Sequence, residues 1–455
     1  MSGFFCAERK EKLKKVITYG TFDLLHQGHI NLLRRAKELG DYLIVGVTTE
    51  KYDRDRGKLN VSQPCLERIE SVKKTGYADE IIIEEYEGQK IDDIQRLGVD
   101  IFAIGSDWTG KFDYLKEYCE VVYLERTKGI SSSQLRNEKQ RIYNIGIIGS
   151  GRIANRFVPE SKYVSGVNVI GVYNPHLDSA KKFCERHSLM FATDNFNDFL
   201  DKTDAVYIAS PHLTHFNYAK KCIEAGKHVL CEKPMTLNVS DTSELYTLAE
   251  KNNVVLLEAI KTAYCPGFTH LISLVKSGTI GRIRDVEATF TKLVPSDSRE
   301  MSAASAGGSI SELGSYVLLP ILKIFGYDYQ SLQFHPVIEG GVDIFTKGMM
   351  VYQTGTASFK VGLGVKSEGD LVISGTKGYA YVPAPWWKTD YFEIRYEDIS
   401  LNKKYFYRFE GDGLRYEIEE FVTMIGEQRQ ESFRLPKRES IAITRIIETF
   451  LTQRN

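Results

Sequence analysis

No Cys-x-x-Cys pair occurs among the seven cysteines, and their number is odd. Both features argue against a disulfide framework or a structural zinc site and for free thiols in a reducing compartment. Charge of one sign is also missing: 59 Lys and Arg stand against 60 Asp and Glu, a formal net charge of −1. Nothing in that balance favours nucleic acid or a membrane surface, and the basic stretch 8–15 reads as a solvated face. The N-terminus MSGFFCAERK lacks the apolar core of a secretory signal, and no run approaches the length of a bilayer span. These absences predict a cytoplasmic protein without a membrane partner. Repeats, low-complexity segments and Gly/Ser- or Pro-rich linkers are absent as well.

What remains is ample for packed cores. The 455 residues are 42% hydrophobic and 26% charged, which predicts two or three soluble domains. From residue 16 to about 125, the apolar runs KVITYG, DYLIVGV, DEIIIE, DIFAIG and EVVYLE alternate with NLLRRAKEL, CLERIESVKKT, IDDIQRLG and KFDYLKEYC, whose apolar residues recur at helical spacing. A polar, helix-like stretch (131–141) leads directly into YNIGIIG. The alternation then resumes through VNVIGVY, DAVYIAS, HVLCEKP and VVLLEAI. From about residue 283 strand-like runs follow one another, and two helices close the chain. The pattern predicts an α/β protein with two Rossmann-like, doubly wound parallel sheets and a C-terminal α+β domain with a large, mostly antiparallel open sheet. The expected domains are 1–140, 141–265 and 266–455.

The first chemistry-bearing segment is GTFDLLHQGHINLL, where His26 and His29 stand at a strand-loop–helix junction. A helix N-terminus offers unpaired N–H groups to phosphate, and Gly20 and Gly28 allow close backbone approach. Two imidazoles can stabilise charge building on a phosphorus under attack. A metal fragment or a pair of structural histidines are the alternatives if the motif stands alone.

The segments YGTFDLLHQGHINLLRRAKELGDYLIVGV, LERIESVKKTGYADEII and GSDWTGKFDYLKEYCEVVYLERTKGISSS resemble the HxGH nucleotidyltransferases, and among them the glycerol-3-phosphate cytidylyltransferases, over residues 14–136. The resemblance implies that CTP and a polyol phosphate give a CDP-polyol and diphosphate, with Mg²⁺ accompanying CTP. It implies that His26 and His29 are catalytic. It places Gly20, Thr21, Phe22, Lys58, Arg68, Arg126, Ile130, Ser131 and Ser132 around CTP, and Asp23, Asp107 and Trp108 near the acceptor or base. The last three could equally be turn and packing residues, and Arg68 could be a helix-surface ion pair.

The second segment, IGIIGSGRIA, sets Gly149-x-Gly151-x-x-Ala154 between a strand and a helix, as a dinucleotide site requires. Asn174 ends the next strand, where a carboxylate would hold a ribose 2′-hydroxyl. Without that carboxylate a 2′-phosphate is not repelled, Arg152 or His176 could meet it, and NADP(H) is slightly favoured over NAD(H). Lys233 follows an apolar strand in Glu232-Lys233-Pro234, beside the expected nicotinamide crevice.

Residues 143–452 resemble the glucose–fructose oxidoreductase, inositol dehydrogenase and dihydrodiol dehydrogenase family, through VYIASPHLTHFNYAKKCIEAGKHVLCEKP, LLEAIKTAYCP, SGTIGRIRDVEATFT and GGSISELGSYVLLPILKIFG. The resemblance implies cofactor contacts from Gly149, Ser150, Gly151, Arg152, Ile153, Asn174, Ser210, Pro211, His215, Glu232 and Lys233. It makes Lys233 the partner of the reacting oxygen and Tyr316 the acid/base candidate, with a structural tyrosine as the alternative. A neighbouring lysine charge is expected to favour phenolate. No metal ligand set is expected.

Together these readings predict a bifunctional enzyme that makes a CDP-activated polyol, CDP-glycerol or similar, for cell-envelope polymers. It would pair NAD(P)H-dependent reduction of a small ketose or ketose phosphate with cytidylyl transfer, and it would form a homodimer. In the alternatives the oxidoreductase acts on a CDP-linked substrate, or one unit only binds nucleotide.

Overall fold

The structure is a computed structural model and describes residues 13–59, 61, 63–86, 88–125, 142–407 and 411–454. The chain divides into two compact units, Met1–Arg141 and Ile142–Asn455.

In the first unit β1 (Lys15–Gly20), β2 (Tyr42–Thr48), β3 (Glu80–Glu84), β4 (Ile101–Gly105) and β5 (Glu120–Leu124) form a parallel sheet in the order β3-β2-β1-β4-β5. Successive strand residues face opposite sides, so Val16 packs with Leu33 and Val72 while Ile17 packs with Ile94 and Phe102. Both faces are covered by helices, which is why β1 reads as a continuous apolar run. The strand order reverses between β1 and β4, and the loops after these two strands therefore border one crevice.

One predicted helix does not form. KFDYLKEYC holds only a short 3₁₀ helix, Asp113–Glu117. Phe112, Leu115 and Cys119 of the segment pack toward the core, the first two at a spacing that suits a three-residue turn. Tyr123 ties the turn down by donating its Oη to Asp113 and accepting the Phe112 N–H. The helix-like stretch 131–141 lies outside the described residues.

The second unit begins with a parallel sheet of β6 (Tyr143–Ile148), β7 (Val167–Tyr173), β8 (Phe191–Thr193), β9 (Ala205–Ile208), β10 (His228–Glu232) and β11 (Leu256–Ala259), in the order β11-β10-β9-β6-β7-β8. Its reversal falls between β6 and β9. The short β8 has no periodicity to announce it.

An eight-stranded sheet follows: β12 (Ile283–Thr291), β13 (Ser331–Glu339), β14 (Val342–Val351), β15 (Thr356–Gly362), β16 (Leu371–Gly375), β17 (Gly378–Val382), β18 (Tyr391–Tyr396) and β19 (Lys403–Phe406). The order is β13-β14-β15-β12-β16-β17-β18-β19, and only the β12–β15 pair is parallel. The helix Ser309–Phe325 packs on β12, β14 and β15 and is buried from Ser309 to Leu322. Strand β14 fastens its first turn. The Asp343 carboxylate accepts the Ile310 N–H (3.0 Å) and the Thr346 hydroxyl (2.8 Å), while Ser309 Oγ donates to the Asp343 carbonyl (2.8 Å). Among the described residues no helix is long and apolar enough to cross a membrane.

Candidate active sites

The loop after β1 holds two non-glycine residues in left-handed backbone, Phe22 (φ 53°) and Leu24 (φ 46°). Such strain of roughly 1–3 kcal/mol per residue persists only where surroundings enforce it. Here Phe22 is buried in the core, and Asp23 accepts the Gln63 N–H at 2.9 Å. Asp23 is itself 2% exposed, and its carboxylate staples this loop to Gln63.

His26 caps the helix Gln27–Lys37, with its Nδ1 accepting the Gly28 N–H at 3.0 Å. That bond puts the ring proton of a neutral His26 on Nε2. The rings of His26 and His29 stack at 3.9 Å, and the edge of Phe22 meets His29 at 5.5 Å. The sequence motif thus becomes a paired imidazole platform at a helix N-terminus.

Beside it Thr21 is a hub. Its Oγ1 accepts from Lys58 Nζ (2.7 Å) and Arg56 Nη2 (3.0 Å) and donates to Asp53 (3.0 Å). Arg68 Nη1 donates to the Thr21 carbonyl (2.8 Å) and lies 3.4 Å from Asp53. Arg68 is fully buried, which rules out the surface ion pair considered for it. Asp53 and Arg56 carry no motif; their only signal was a three-residue spacing on the short helix Glu50–Asp55 and its cap. Asp107 and Trp108 form a 3₁₀ turn after β4, across the crevice from the histidine loop, with Asp107 exposed and Lys111 Nζ 4.9 Å above the Trp108 ring. Arg126, Gly129, Ile130, Ser131 and Ser132 lie outside the described residues.

In the second unit the glycine loop fits a dinucleotide. Gly149 has φ 97°, and a Cβ there would meet the Ala209 carbonyl oxygen at 2.8 Å. A Cβ on Gly151 would meet nothing, so that side of the loop is open to a diphosphate. The helix Arg152–Ser161 starts without a side-chain cap, which leaves its first N–H groups facing the loop. Ile153 lies in its first turn. Asn174 follows β7 as expected and donates from Nδ2 to Ser150 Oγ (2.9 Å), joining the ribose end to the glycine loop. Arg152 turns elsewhere: its guanidinium pairs with Glu300 at 2.8 Å. His176 is exposed, and its N–H donates to Asn174 Oδ1.

Ser210 and Pro211 follow β9, at the strand reversal. Buried His215 bridges the carbonyls of Ser210 (2.8 Å) and Pro234 (3.0 Å) and so holds the β9 and β10 loops together. Glu232 points inward, accepting from Tyr207 Oη (2.6 Å) and the Lys233 N–H (3.2 Å), and burial pushes its carboxyl up.

Lys233 Nζ donates to the Glu312 carbonyl (2.9 Å) and lies 5.6 Å from the Tyr316 ring centroid. Glu312 and Tyr316 are one helical turn apart, which brings both to Lys233. Burial pushes the Tyr316 phenol well above 10, with Glu232 adding to the effect. The expected lysine-stabilised phenolate is therefore not what the site favours; the phenol stays protonated, because desolvation outweighs the lysine charge. The Glu312 carboxylate takes an ion pair from Arg299 (2.9 Å) and lies 3.7 Å from His212, whose imidazole burial holds well below its ordinary pKa. Arg299 and Glu300 sit in a single 3₁₀ turn, Arg299–Met301, too short for any periodicity, and sequence patterning offered nothing to find them.

Comparison with known proteins follows the same division. The cytidylyltransferase-like family model matches residues 17–138. The NAD-binding Rossmann model of the oxidoreductase family matches residues 143–259, and the GFO/IDH/MocA C-terminal domain matches 268–381. Glycerol-3-phosphate cytidylyltransferase of Bacillus spizizenii is 52% identical over 127 residues, 28% of this chain and 97% of the relative. Trans-1,2-dihydrobenzene-1,2-diol dehydrogenase of Sus scrofa is 30% identical across 53% of this chain and 74% of the relative. A 3-ketoreductase from Actinomadura kijaniata, solved with NADP and TDP-benzene, superposes with a TM-score of 0.61 at 22% identity, over 69% of this chain and 98% of that one.

Fold and sites thus define a nucleotidyltransferase joined to an NAD(P)-dependent oxidoreductase. The chain belongs to the cytidylyltransferase-like family through its first unit and to the GFO/IDH/MocA oxidoreductase family through its second.

Proposed function

We propose that this chain makes a CDP-activated polyol by two reactions: reduction of a small ketose or ketose phosphate, then transfer of CMP from CTP to the polyol phosphate. CDP-glycerol, made by way of dihydroxyacetone phosphate and glycerol phosphate, is the simplest case, and the product would serve cell-envelope polymer synthesis. The observation that carries the proposal is that both sites are furnished on one chain: the stacked His26–His29 pair in the first unit and Lys233 with Tyr316 in the second.

In the first reaction NAD(P)H, when bound, supplies the hydride that reduces the carbonyl carbon. Lys233 spends one of its three N–H donors on Glu312 and keeps others to hold the carbonyl oxygen. Tyr316 gives that oxygen its proton, so ketone, NAD(P)H and a proton become alcohol and NAD(P)⁺. Gly149, Ser150, Gly151, Arg152, Ile153, Asn174, Ser210, Pro211 and His215 form the surround of the cofactor, and Asn174 favours NADP(H).

In the second reaction a phosphate oxygen of the polyol phosphate bonds to the α-phosphorus of CTP, and the bond to the β-phosphate oxygen breaks, releasing diphosphate. His26 and His29 meet the charge on the transferring group, and Lys58, Arg56 and Arg68 hold the Thr21 loop beside the phosphates. Among the described residues no cluster of three or more His, Cys, Asp or Glu stands ready for a metal ion, so Mg²⁺ would arrive with CTP, held chiefly by phosphate oxygens. The boundaries 1–140, 141–265 and 266–455 divide the two chemistries and the substrate domain. Exposed Val337 and Met349, on one face of the eight-stranded sheet by register, support homodimer formation through that face.

The test supplies the whole protein with a ketose phosphate, NADPH and CTP, with no polyol phosphate, and follows products by mass spectrometry. CDP-polyol is the expected product. If only CDP-linked carbonyls are reduced, the order of the two reactions is reversed; if no carbonyl is reduced, the reductase reading fails.

A further inference from the structure

The reductase site carries cations that the reduction itself does not use, Lys292 and Arg299. Lys233 and Arg299 converge on Glu312, and Lys292 and Arg152 on Glu300, at 4.0 and 2.8 Å for the latter pair. The two groups are one cluster: Lys292 is within electrostatic reach of Arg152, Glu300, Glu312 and Lys233 together, and His212 of both Lys233 and Arg299. Burial holds the His212 imidazole well below its ordinary pKa, so it adds no charge to the cluster. Arg299 and Lys292 thus stand as cations beside the Lys233–Tyr316 pair, whose neighbouring carboxylate Glu232 is already engaged by Tyr207 and the Lys233 N–H.

Desolvation, with Arg152 and Lys233 adding to it, pushes the Lys292 ammonium down against the pull of Glu300 and Glu312. Arg299 Nη1 is buried and, among the described residues, has no hydrogen-bond partner, although its Nη2 is paired. A buried guanidinium donor left unmet is costly unless a ligand meets it. Ser298 Oγ, one residue away, is likewise buried without a partner. The cofactor's own phosphates do not answer this demand. The diphosphate belongs at the glycine loop and helix N-terminus, and the ribose at Asn174 and Ser150. Lys292, Ser298 and Arg299 belong instead to the segment between β12 and the Tyr316 helix, on the side of the reacting carbonyl.

From this we infer that the reductase substrate is a ketone bearing a phosphate monoester, its phosphate held by Arg299 and Lys292 while its carbonyl meets Lys233 and Tyr316. This rests on the reading of the second unit as a ketone reductase. A phosphate monoester near neutral pH carries close to two negative charges, which Arg299 and Lys292 can meet together. A guanidinium suits it because it can give two parallel hydrogen bonds to phosphate oxygens. The reduced product then leaves already phosphorylated, in the form a cytidylyl transfer consumes, and no kinase is needed between the two reactions.

The test measures NADPH oxidation by the full-length protein with dihydroxyacetone phosphate against dihydroxyacetone, and with a ketopentose phosphate against the free ketopentose. Expected is a kcat/KM roughly a hundredfold higher, or more, for the phosphorylated member of at least one pair, with inorganic phosphate competing against the ketone. Arg299→Ala and Lys292→Ala should each raise KM for the phosphorylated ketone roughly ten- to hundredfold, the usual worth of a hydrogen bond to a charged group. Arg299→Lys should recover part of the loss, and the Kd for NADPH should move little. The comparison of substrates on the unaltered protein stands whether or not a variant folds. Equal use of free and phosphorylated ketones would overturn the inference and leave the reductase reading intact. Reduction of CDP-linked ketones alone would overturn both the inference and the proposed order. Inertness toward every carbonyl would remove the reductase reading itself.

Discussion

Lys233 Nζ and the main-chain oxygen of Glu312 lie 2.9 Å apart, a bond between residues 79 positions distant in the chain. It fixes a strand-end ammonium against the first turns of the helix that carries Tyr316. The ammonium is thereby held at the reaction crevice, and the phenol one turn further on stays protonated through burial.

Tyr316→Phe should therefore cut hydride transfer about 100-fold or more, the ordinary worth of a positioned general acid. Lys233→Ala should lower kcat by a similar factor, since its contact strengthens as charge grows on the reacting oxygen. Single-turnover NADPH oxidation measures both, and fluorescence titration should show NADPH affinity nearly unchanged. A Tyr316→Phe protein that reduces at the parent rate would assign the proton to another group.

His26→Ala and His29→Ala should each reduce CDP-polyol formation by on the order of 100-fold or more while NADPH oxidation continues. The two rings stack at 3.9 Å, so each substitution also leaves the other ring less well held. Diphosphate release, assayed beside NADPH oxidation in the same preparation, separates the two activities. Full cytidylyl transfer by both variants would dismiss the histidine platform.

Asn174 presents an amide, bonded to Ser150 Oγ at 2.9 Å, where a carboxylate would repel a 2′-phosphate. NADPH should bind at least as well as NADH, and Asn174→Asp should turn the preference toward NADH through charge repulsion and a ribose hydrogen bond. Dissociation constants for the two cofactors decide the point; strong NADH selectivity in the unaltered protein would refute it.

Glu258 ends the buried parallel sheet, accepts the Met235 N–H at 2.9 Å, and has its carboxyl pushed up to about 7 by burial. The folded protein binds this proton more tightly than the unfolded chain, whose carboxyl titrates near 4.5. The favourable contribution is present below about pH 4.5 and is lost as pH rises toward 7, a swing of about 3 kcal/mol. Glu258→Gln should flatten stability across that window in urea unfolding measured from pH 4.5 to 7.5. An unchanged slope would show that other groups set it.

The sequence exposed those features that obey a period or a motif. Strand–helix alternation placed both parallel sheets, and the two glycine-bearing loops fell at the two strand reversals. Residues that work through distant partners were hidden. For Arg68 a surface ion pair stood as the alternative to a nucleotide contact because its helix alone was visible; its burial beside Asp53 of a different helix was not. The tie between Asp23 and the Gln63 N–H, forty residues on, was equally invisible. Arg299 and Glu300 lie in a segment whose form is set by the elements around it, so no local pattern reports them. In KFDYLKEYC the helical spacing was present, but the chain between β4 and β5 is held as a 3₁₀ turn, tied by Tyr123 to Asp113 and the Phe112 N–H.

The clasp of β14 on the helix Ser309–Phe325 has an evolutionary consequence. With Ser309 and Ile310 tied to Asp343, the helix cannot roll about its axis, so Glu312 and Tyr316 keep one heading whatever substrate enters. The preceding segment, which carries Lys292 and Arg299, is under no such restraint from β14. Acceptor preference can thus drift by exchange of that segment alone, while the proton chemistry is inherited unchanged.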